Sequence, residues 1–225
     1  MCGLYREAEQ LTLEGERVLS TDEMTGVQAL ERKHPTLPMK PGKVERREFE
    51  YIRHGTRSFI IDLNVASGRI SNTSSGPTRT EADFAAHVQR TVSREGGIRK
   101  WHFVVDNLDT HCSETLVRLV ARASGLAETD LGEKGKRGIL HNCVSRTAFL
   151  SDASHKIVFH YTPKHSSWLN QIEIWLSILV RKLLKRGSFT SVEELENKVL
   201  EFIEYYNRTM AKPFAWTYRG KVLVA

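Results

Sequence analysis

Across residues 168–186 apolar side chains recur at helical spacing, and an acid stands among them. At about 100° per residue, Leu169, Ile172, Leu176, Leu179, Val180 and Leu183 fall on one arc, and Glu173 falls inside it. A carboxylate placed where a helix meets its core is costly without a partner. The pattern therefore requires a cation, a metal ion or a proton at Glu173. Ile174, Trp175 and Ile178 widen the apolar surface, which predicts a helix covered on most sides. Gly187 closes it, and Ser191 caps a last helix running through Tyr206.

The chain ahead of that helix alternates strand and helix patterns. Residues 16–22 form a short apolar run that predicts a strand ending at Asp22. Residues 24–47 carry Pro35, Pro38, Pro41 and Gly42 among Lys33, Lys40, Lys43, Arg46 and Arg47, the composition of a long basic surface loop. Apolar clusters at Phe49, Tyr51 and Ile52, then at Phe59, Ile60, Ile61, Leu63 and Val65, predict two or three antiparallel strands. Gly55 and Ala66-Ser67-Gly68 supply the turns. A Ser, Thr, Gly and Pro cluster over residues 71–80 breaks this pattern. Thr80 then caps a helix with Phe84, Val88 and Val92 at helical spacing, ended by Gly96-Gly97. Residues 101–105 read as a strand buried on both faces with Asp106 at its C-terminal end, residues 113–123 as a helix and residues 156–161 as a strand. Residues 125–155 show little periodicity and are expected to form an insertion. This order predicts a mixed α/β domain with helices packed on a central sheet.

A chain of 225 residues suits a single domain with one insertion. No apolar run reaches the roughly 18 residues of a membrane span, and no basic-then-apolar leader opens the chain, so the cytosol is the expected compartment. Cys2, Cys112 and Cys143 form no Cys-x-x-Cys pair and are expected to be idle thiols in a reducing compartment. His141 with Cys143, and His111 with Cys112, fit no four-ligand zinc spacing. Neither a phosphate-cradling loop nor a dinucleotide fingerprint is present. The net charge of +6 favours a polyanionic partner.

Asp22 and Asp106 end strands that can be neighbours in one sheet, and the helix carrying Glu173 can cross it. Three acids in one place repel one another unless divalent cations hold them, and Mg²⁺ suits such hard oxygen ligands because it keeps waters and substrate phosphates in its shell. Two such ions roughly 3.5 to 4 Å apart activate a water or a 3′-hydroxyl and stabilise the leaving oxygen in phosphodiester chemistry. Glu23 and Asp109 stand beside the favoured acids and fill the same roles on sequence alone, and a strand-terminal Asp also serves as a simple cap.

The segments Ser20-Thr21-Asp22-Glu23, Val104-Val105-Asp106-Asn107 followed by His111, and Ser167-Trp168-Leu169-Asn170-Gln171-Ile172-Glu173-Ile174-Trp175 resemble the three catalytic blocks of bacterial transposases of the insertion sequence 630 family. Tyr161-Thr162-Pro163 ahead of the last block strengthens the likeness, which spans almost the whole chain. That family belongs to the mariner superfamily, with an Asp-Asp-Glu/Asp triad. The resemblance implies a ribonuclease-H-like mixed sheet with helices on both faces. It implies catalytic, metal-holding roles for Asp22, Asp106 and Glu173, with two Mg²⁺ or Mn²⁺ ions, and cut-and-paste transposition of DNA into TA dinucleotides by a homodimer. Asn107 and His111 match motif residues beside the second Asp, where turn hydrogen bonding and packing account for them equally well. The 66 residues between Asp106 and Glu173 exceed the usual interval, and the excess falls in residues 125–155. Transposases of this kind carry N-terminal helix-turn-helix domains. Here 15 residues precede Glu16, so that domain is expected to be absent, as in the downstream product of a split or frameshifted gene whose partner polypeptide carries it, a trimmed chain or a remnant.

Because the acids repel a phosphate backbone, DNA contacts must come from nearby cations. The candidates are Lys164 and His165 before Glu173, Arg181, Lys182, Lys185 and Arg186 at the end of its helix, and Lys40, Lys43, Arg46 and Arg47 in the basic loop. Cations in a last helical turn also complement the helix dipole, and Trp168 serves either as a base-stacking or as a helix-entry aromatic. Three functions fit this pattern: a polynucleotidyl transferase of the bacterial cytosol and nucleoid, an inactive remnant that only binds DNA or oligomerises, and a ribonuclease-H-like nuclease on another substrate. Metal-dependent nicking separates the first from the second, and a strand-joined product separates the first from the third.

Overall fold

Five strands form one mixed sheet in the order β3-β2-β1-β4-β5. They are β1 (Glu16–Arg32), β2 (Tyr51–Asn64), β3 (Ile70–Gly76), β4 (Lys100–Val105) and β5 (Ile157–Tyr161). The computed structural model describes residues 1–46 and 48–218. The first three strands are antiparallel neighbours, whereas β4 pairs parallel with β1 and β5 parallel with β4. Parallel pairing demands crossovers, and these contain α2 (Glu81–Arg94), α3 (Glu114–Ala123) and α4 (Cys143–Leu150). The remaining helices are α1 (Cys2–Leu13), α5 (Ile172–Leu179) and α6 (Val192–Thr209). Among the described residues no helix is long and apolar enough to cross a membrane.

Strand alternation sorts side chains between two faces. Leu19, Ile60, Phe103 and Val105 pack with Phe84 and Val88 of α2, Leu116 and Val120 of α3 and Leu150 of α4. On the opposite face Phe59, Ile61 and Leu63 meet α5 and α6, while Val18, Val65 and Val104 meet Tyr5 and Ala8 of α1. Truncating a buried aromatic such as Phe84 or Phe103 to Ala is worth about 3 to 5 kcal/mol. The architecture is the ribonuclease-H-like α/β layout, with helices on both faces of the sheet. Two capping expectations hold locally, at Thr80 and Ser191, and Ser113, read as the first residue of its helix, caps it instead. Thr80 and Asp83 form a capping box on α2, the Ser113 hydroxyl accepts from Leu116 N, and the Ser191 hydroxyl accepts from Glu194 N.

Several boundaries differ from the sequence reading. β1 does not end at Asp22 but continues to Arg32. Bulges between Met24 and Val27 and between Gln28 and Leu30 absorb the break in apolar alternation, and Gly26 takes the positive φ of 63° there. The basic loop is correspondingly shorter, residues 33–50, and folds back through bridges pairing Leu37 with Arg46 and Lys40 with Lys43. Arg47 lies outside the described residues. β2 passes straight through Gly55 instead of turning. At φ 122° this residue leaves room for α6, since an added Cβ would stand 2.9 Å from Val192 Cγ2. β3 occupies part of the polar stretch read as a break, because an edge strand tolerates Ser and Thr on its open side. Helix α1 has no counterpart in the sequence reading. Residues 125–155 are ordered, placing Leu131, Leu140 and Leu150 in the core beside α3. Finally, Cys112 and Cys143 are joined by a disulfide, not idle. The insertion brings α4 over the 3-10 turn Asp109–Cys112 with a Cα separation of 5.9 Å, a pairing no local spacing reveals.

Candidate active site

β1 and β4 lie side by side in parallel, with Ser20 opposite Val104, and two further residues along that register stand Asp22 and Asp106. Asp22 shares the parity of Val18 and Ser20, so its side chain points to the face covered by α1 and α5. Asp106 is the first residue past β4, where the turn begins.

Glu173 reaches the same edge because β1 holds the start of α5. The expected continuous helix over residues 168–186 is instead three pieces: a 3-10 turn Ser167–Leu169, then α5, then a π turn Val180–Leu184. The break at Asn170 has a physical cause. Its side-chain amide donates to Thr21 O at 2.9 Å, its Oδ1 accepts from the Ser20 hydroxyl, and Ser20 Oγ accepts from Ile172 N at 2.8 Å. The first N–H of the helix, that of Ile172, is thus satisfied by β1, two residues from Asp22, while Glu173 N and Ile174 N bond back to Asn170 O and Gln171 O. Tyr5 of α1 adds a bond to Leu169 O at 3.0 Å. Trp175 and Ile172 are fully buried under this anchor, while Glu173 is half-buried at the rim and not inside the core as the arc implied.

Electrostatics links the three acids. Burial, with the Asp106 and Glu23 charges, pushes the Asp22 carboxyl up to about 7 against the opposing pull of the Glu23 N–H and the His111 charge. Burial and the Asp106 charge likewise raise Glu173. Asp106 moves the other way, held low first by its hydrogen bond from His111 and then by that ring's charge, by Leu108 N–H and by Arg79. Asp106 is therefore the ionised centre, with a reluctant acid on each side. As a set the three carboxylates do not close to within 4.8 Å. As donors they suit a hard divalent cation. Asp22 accepts one backbone N–H on Oδ1, Asp106 uses only Oδ1, and among the described residues no hydrogen-bond donor meets the Glu173 carboxylate.

The neighbouring acids have separate places. Glu23 points to the opposite face of β1 and pairs with His111. Asp109 stands near the sulfurs of Cys112 and Cys143, which are bonded to one another. Asn107 donates to Thr162 O at 2.5 Å, tying the ends of β4 and β5. The sequence signal for His111 is its motif position. The anchoring roles of Ser20 and Asn170 carry no local signal, although both sit within the motif blocks. Lys164 and His165 are exposed just ahead of α5, with His165 at φ 60°, and Arg181, Lys182, Lys185 and Arg186 are exposed beyond its end. Trp168 is 55% exposed, with its ring edge-on to Tyr218 at 5.1 Å, and so is not a core aromatic.

Among solved structures the fold is similar to the Mos1 mariner paired-end complex with Mn, with a TM-score of 0.56 at 14% identity over 92% of this chain and 54% of that one. It is also similar to the Mos1 transposase paired-end complex with left transposon end, TM-score 0.54 at 13% identity over 92% and 55%, and to the Mos1 strand transfer complex, TM-score 0.53 at 13% identity over 91% and 57%. The chain thus spans about half the length of those transposases. No curated protein matches the sequence significantly. The family model of the DDE superfamily endonucleases matches residues 17–196, and the chain belongs to that family.

Proposed function

We propose that this chain is the catalytic domain of a DNA transposase that cleaves transposon ends and joins them to target DNA, with Asp22, Asp106 and Glu173 holding two Mg²⁺ or Mn²⁺ ions. The observation carrying this reading is the meeting of two strand carboxylates and one helix carboxylate at a single sheet edge, where the Asp106 charge raises both others. Bound divalent ions supply an activated water or 3′-hydroxyl and stabilise the leaving oxygen. Asp106 enters the reaction already ionised, while Asp22, its carboxyl pushed up to about 7, releases its proton as it takes up positive charge. The Mos1 complexes, solved with Mn and with transposon ends, support the choice of cofactor and partner.

The exposed cations Lys164 and His165 before α5, and Arg181, Lys182, Lys185 and Arg186 after it, grip phosphates on either side of the acids. A homodimer acting on paired ends and TA targets in the bacterial cytosol, on the nucleoid, completes the proposal. Residues 1–225 act as one catalytic domain. The test is a strand-transfer assay with Mn²⁺ and a pre-cut oligonucleotide bearing the element's terminal sequence. Asp106→Asn is expected to cut product by more than about 100-fold, beyond the loss typical of removing a supporting residue, with the circular dichroism spectrum unchanged. Product undiminished in that variant overturns the assignment. Metal-independent DNA binding with no cleavage by the native chain identifies an inactive module instead.

A further inference from the structure

His111 is completely buried in the 3-10 turn after β4, its ring 4.3 Å from that of Phe84. Its Nδ1 lies 2.8 Å from Asp106 Oδ1, and its Nε2 lies 3.0 Å from Glu23 Oε2. The Glu23 side chain is only 2% exposed, on the face of β1 opposite Asp22. An acid there is tolerable because His111 meets it, and two carboxylate oxygens, one at each ring nitrogen, fix the ring plane. The surrounding backbone is clamped as well. Tyr161 Oη donates to His111 O at 2.7 Å, and Arg146 Nε donates to Cys112 O at 2.6 Å. At the far end of the chain of bonds, His111 Nδ1 meets both the Asp106 backbone O at 3.2 Å and Oδ1, and Oδ1 also accepts from Leu108 N, which leaves Oδ2 without a donor among the described residues.

We infer that Glu23 and His111 form a positioning pair for Asp106: Glu23 sets the His111 ring, and the ring holds Asp106 Oδ1 so that Oδ2 alone faces the divalent cation. This rests on the metal-binding reading of Asp106 given above. Glu23, which competes with Asp22 for a ligand role on sequence grounds, thereby acts one step behind the metal. Such supporting hydrogen bonds orient a ligand and are typically worth roughly 10- to 100-fold in metal affinity.

The experiment is Mn²⁺ titration of the full chain, with free Mn²⁺ read by electron paramagnetic resonance, beside thermal melts in chelator. Glu23→Ala and His111→Ala are each expected to weaken Mn²⁺ binding by roughly 10- to 100-fold. Glu23→Gln, whose amide can donate to or accept from Nε2, is expected to restore binding to within about 3-fold of native, which loss of packing alone would not do. Where Glu23→Ala does not fold, the pair Glu23→Leu with His111→Phe buries no lone charge and carries the same prediction. Folded variants that bind Mn²⁺ like the native chain overturn the pair while leaving the site intact. A native chain that binds no Mn²⁺, and matches Asp106→Asn, overturns the metal reading itself and the pair with it.

Discussion

Asp22 is ionised only in part near neutral pH, because burial and the neighbouring Asp106 charge push its carboxyl up from 3.8 to about 7. A folded-state value raised above the unfolded one contributes stability that is fully present below about pH 4 and is lost as pH rises through about 7. At about 1.4 kcal/mol per pKa unit, the ionised group costs the metal-free fold roughly 4 kcal/mol. Urea denaturation in chelator is expected to show stability falling across that window, and Asp22→Asn is expected to remove this part of the slope. An unchanged slope in the variant contradicts the electrostatic reading. Near pH 7, Mg²⁺ should stabilise the native chain and have little effect on Asp22→Asn, since bound positive charge relieves the same repulsion. Asp106 works in the opposite window: its carboxyl is depressed by the His111 bond, so its contribution is lost as pH falls.

At the scale of elements, the placement of α5 decides whether Glu173 can join the other acids. That helix is too short to be stable alone, and its start is held to β1 by Asn170 and Ser20. Asn170→Ala takes the side-chain donor from the Thr21 carbonyl and the acceptor from the Ser20 hydroxyl in a buried setting, and an unmet buried polar group costs about 1 to 3 kcal/mol. The expected outcome is a lower urea midpoint, together with a larger loss of strand transfer than Leu176→Val, which thins the packing of α5 without touching the anchor. Equal losses in the two variants remove the anchor from the site. Local periodicity marks this helix correctly as apolar and marks Glu173 as out of place. It misses the break at Asn170, because the bonds responsible join residues about 150 positions apart.

On the scale of the whole molecule, the parallel register of β1 and β4 carries Asp22 and Asp106 side by side, and exposed cations lie before and after α5. If these cations meet phosphates, replacing Arg181, Lys182, Lys185 and Arg186 with Ala is expected to weaken DNA binding at all sequences. It should also reduce the slope of log affinity against log salt by about one for each phosphate that is no longer neutralised. A slope equal to that of the native chain assigns those charges to the solvated surface. The amino-acid sequence alone determined most of the alternation of strands and helices and the caps at Thr80 and Ser191, which are written in local spacing, while the motif blocks narrowed the acids to a few candidates. Only the tertiary structure decided that Asp22 and not Glu23 faces Asp106, that Cys112 pairs with Cys143, and that β1 runs on past its bulges to Arg32. The reason is physical: a period of two places neighbouring residues on opposite faces without saying which face is which, and cross-chain bonds leave no mark in any window of neighbouring residues.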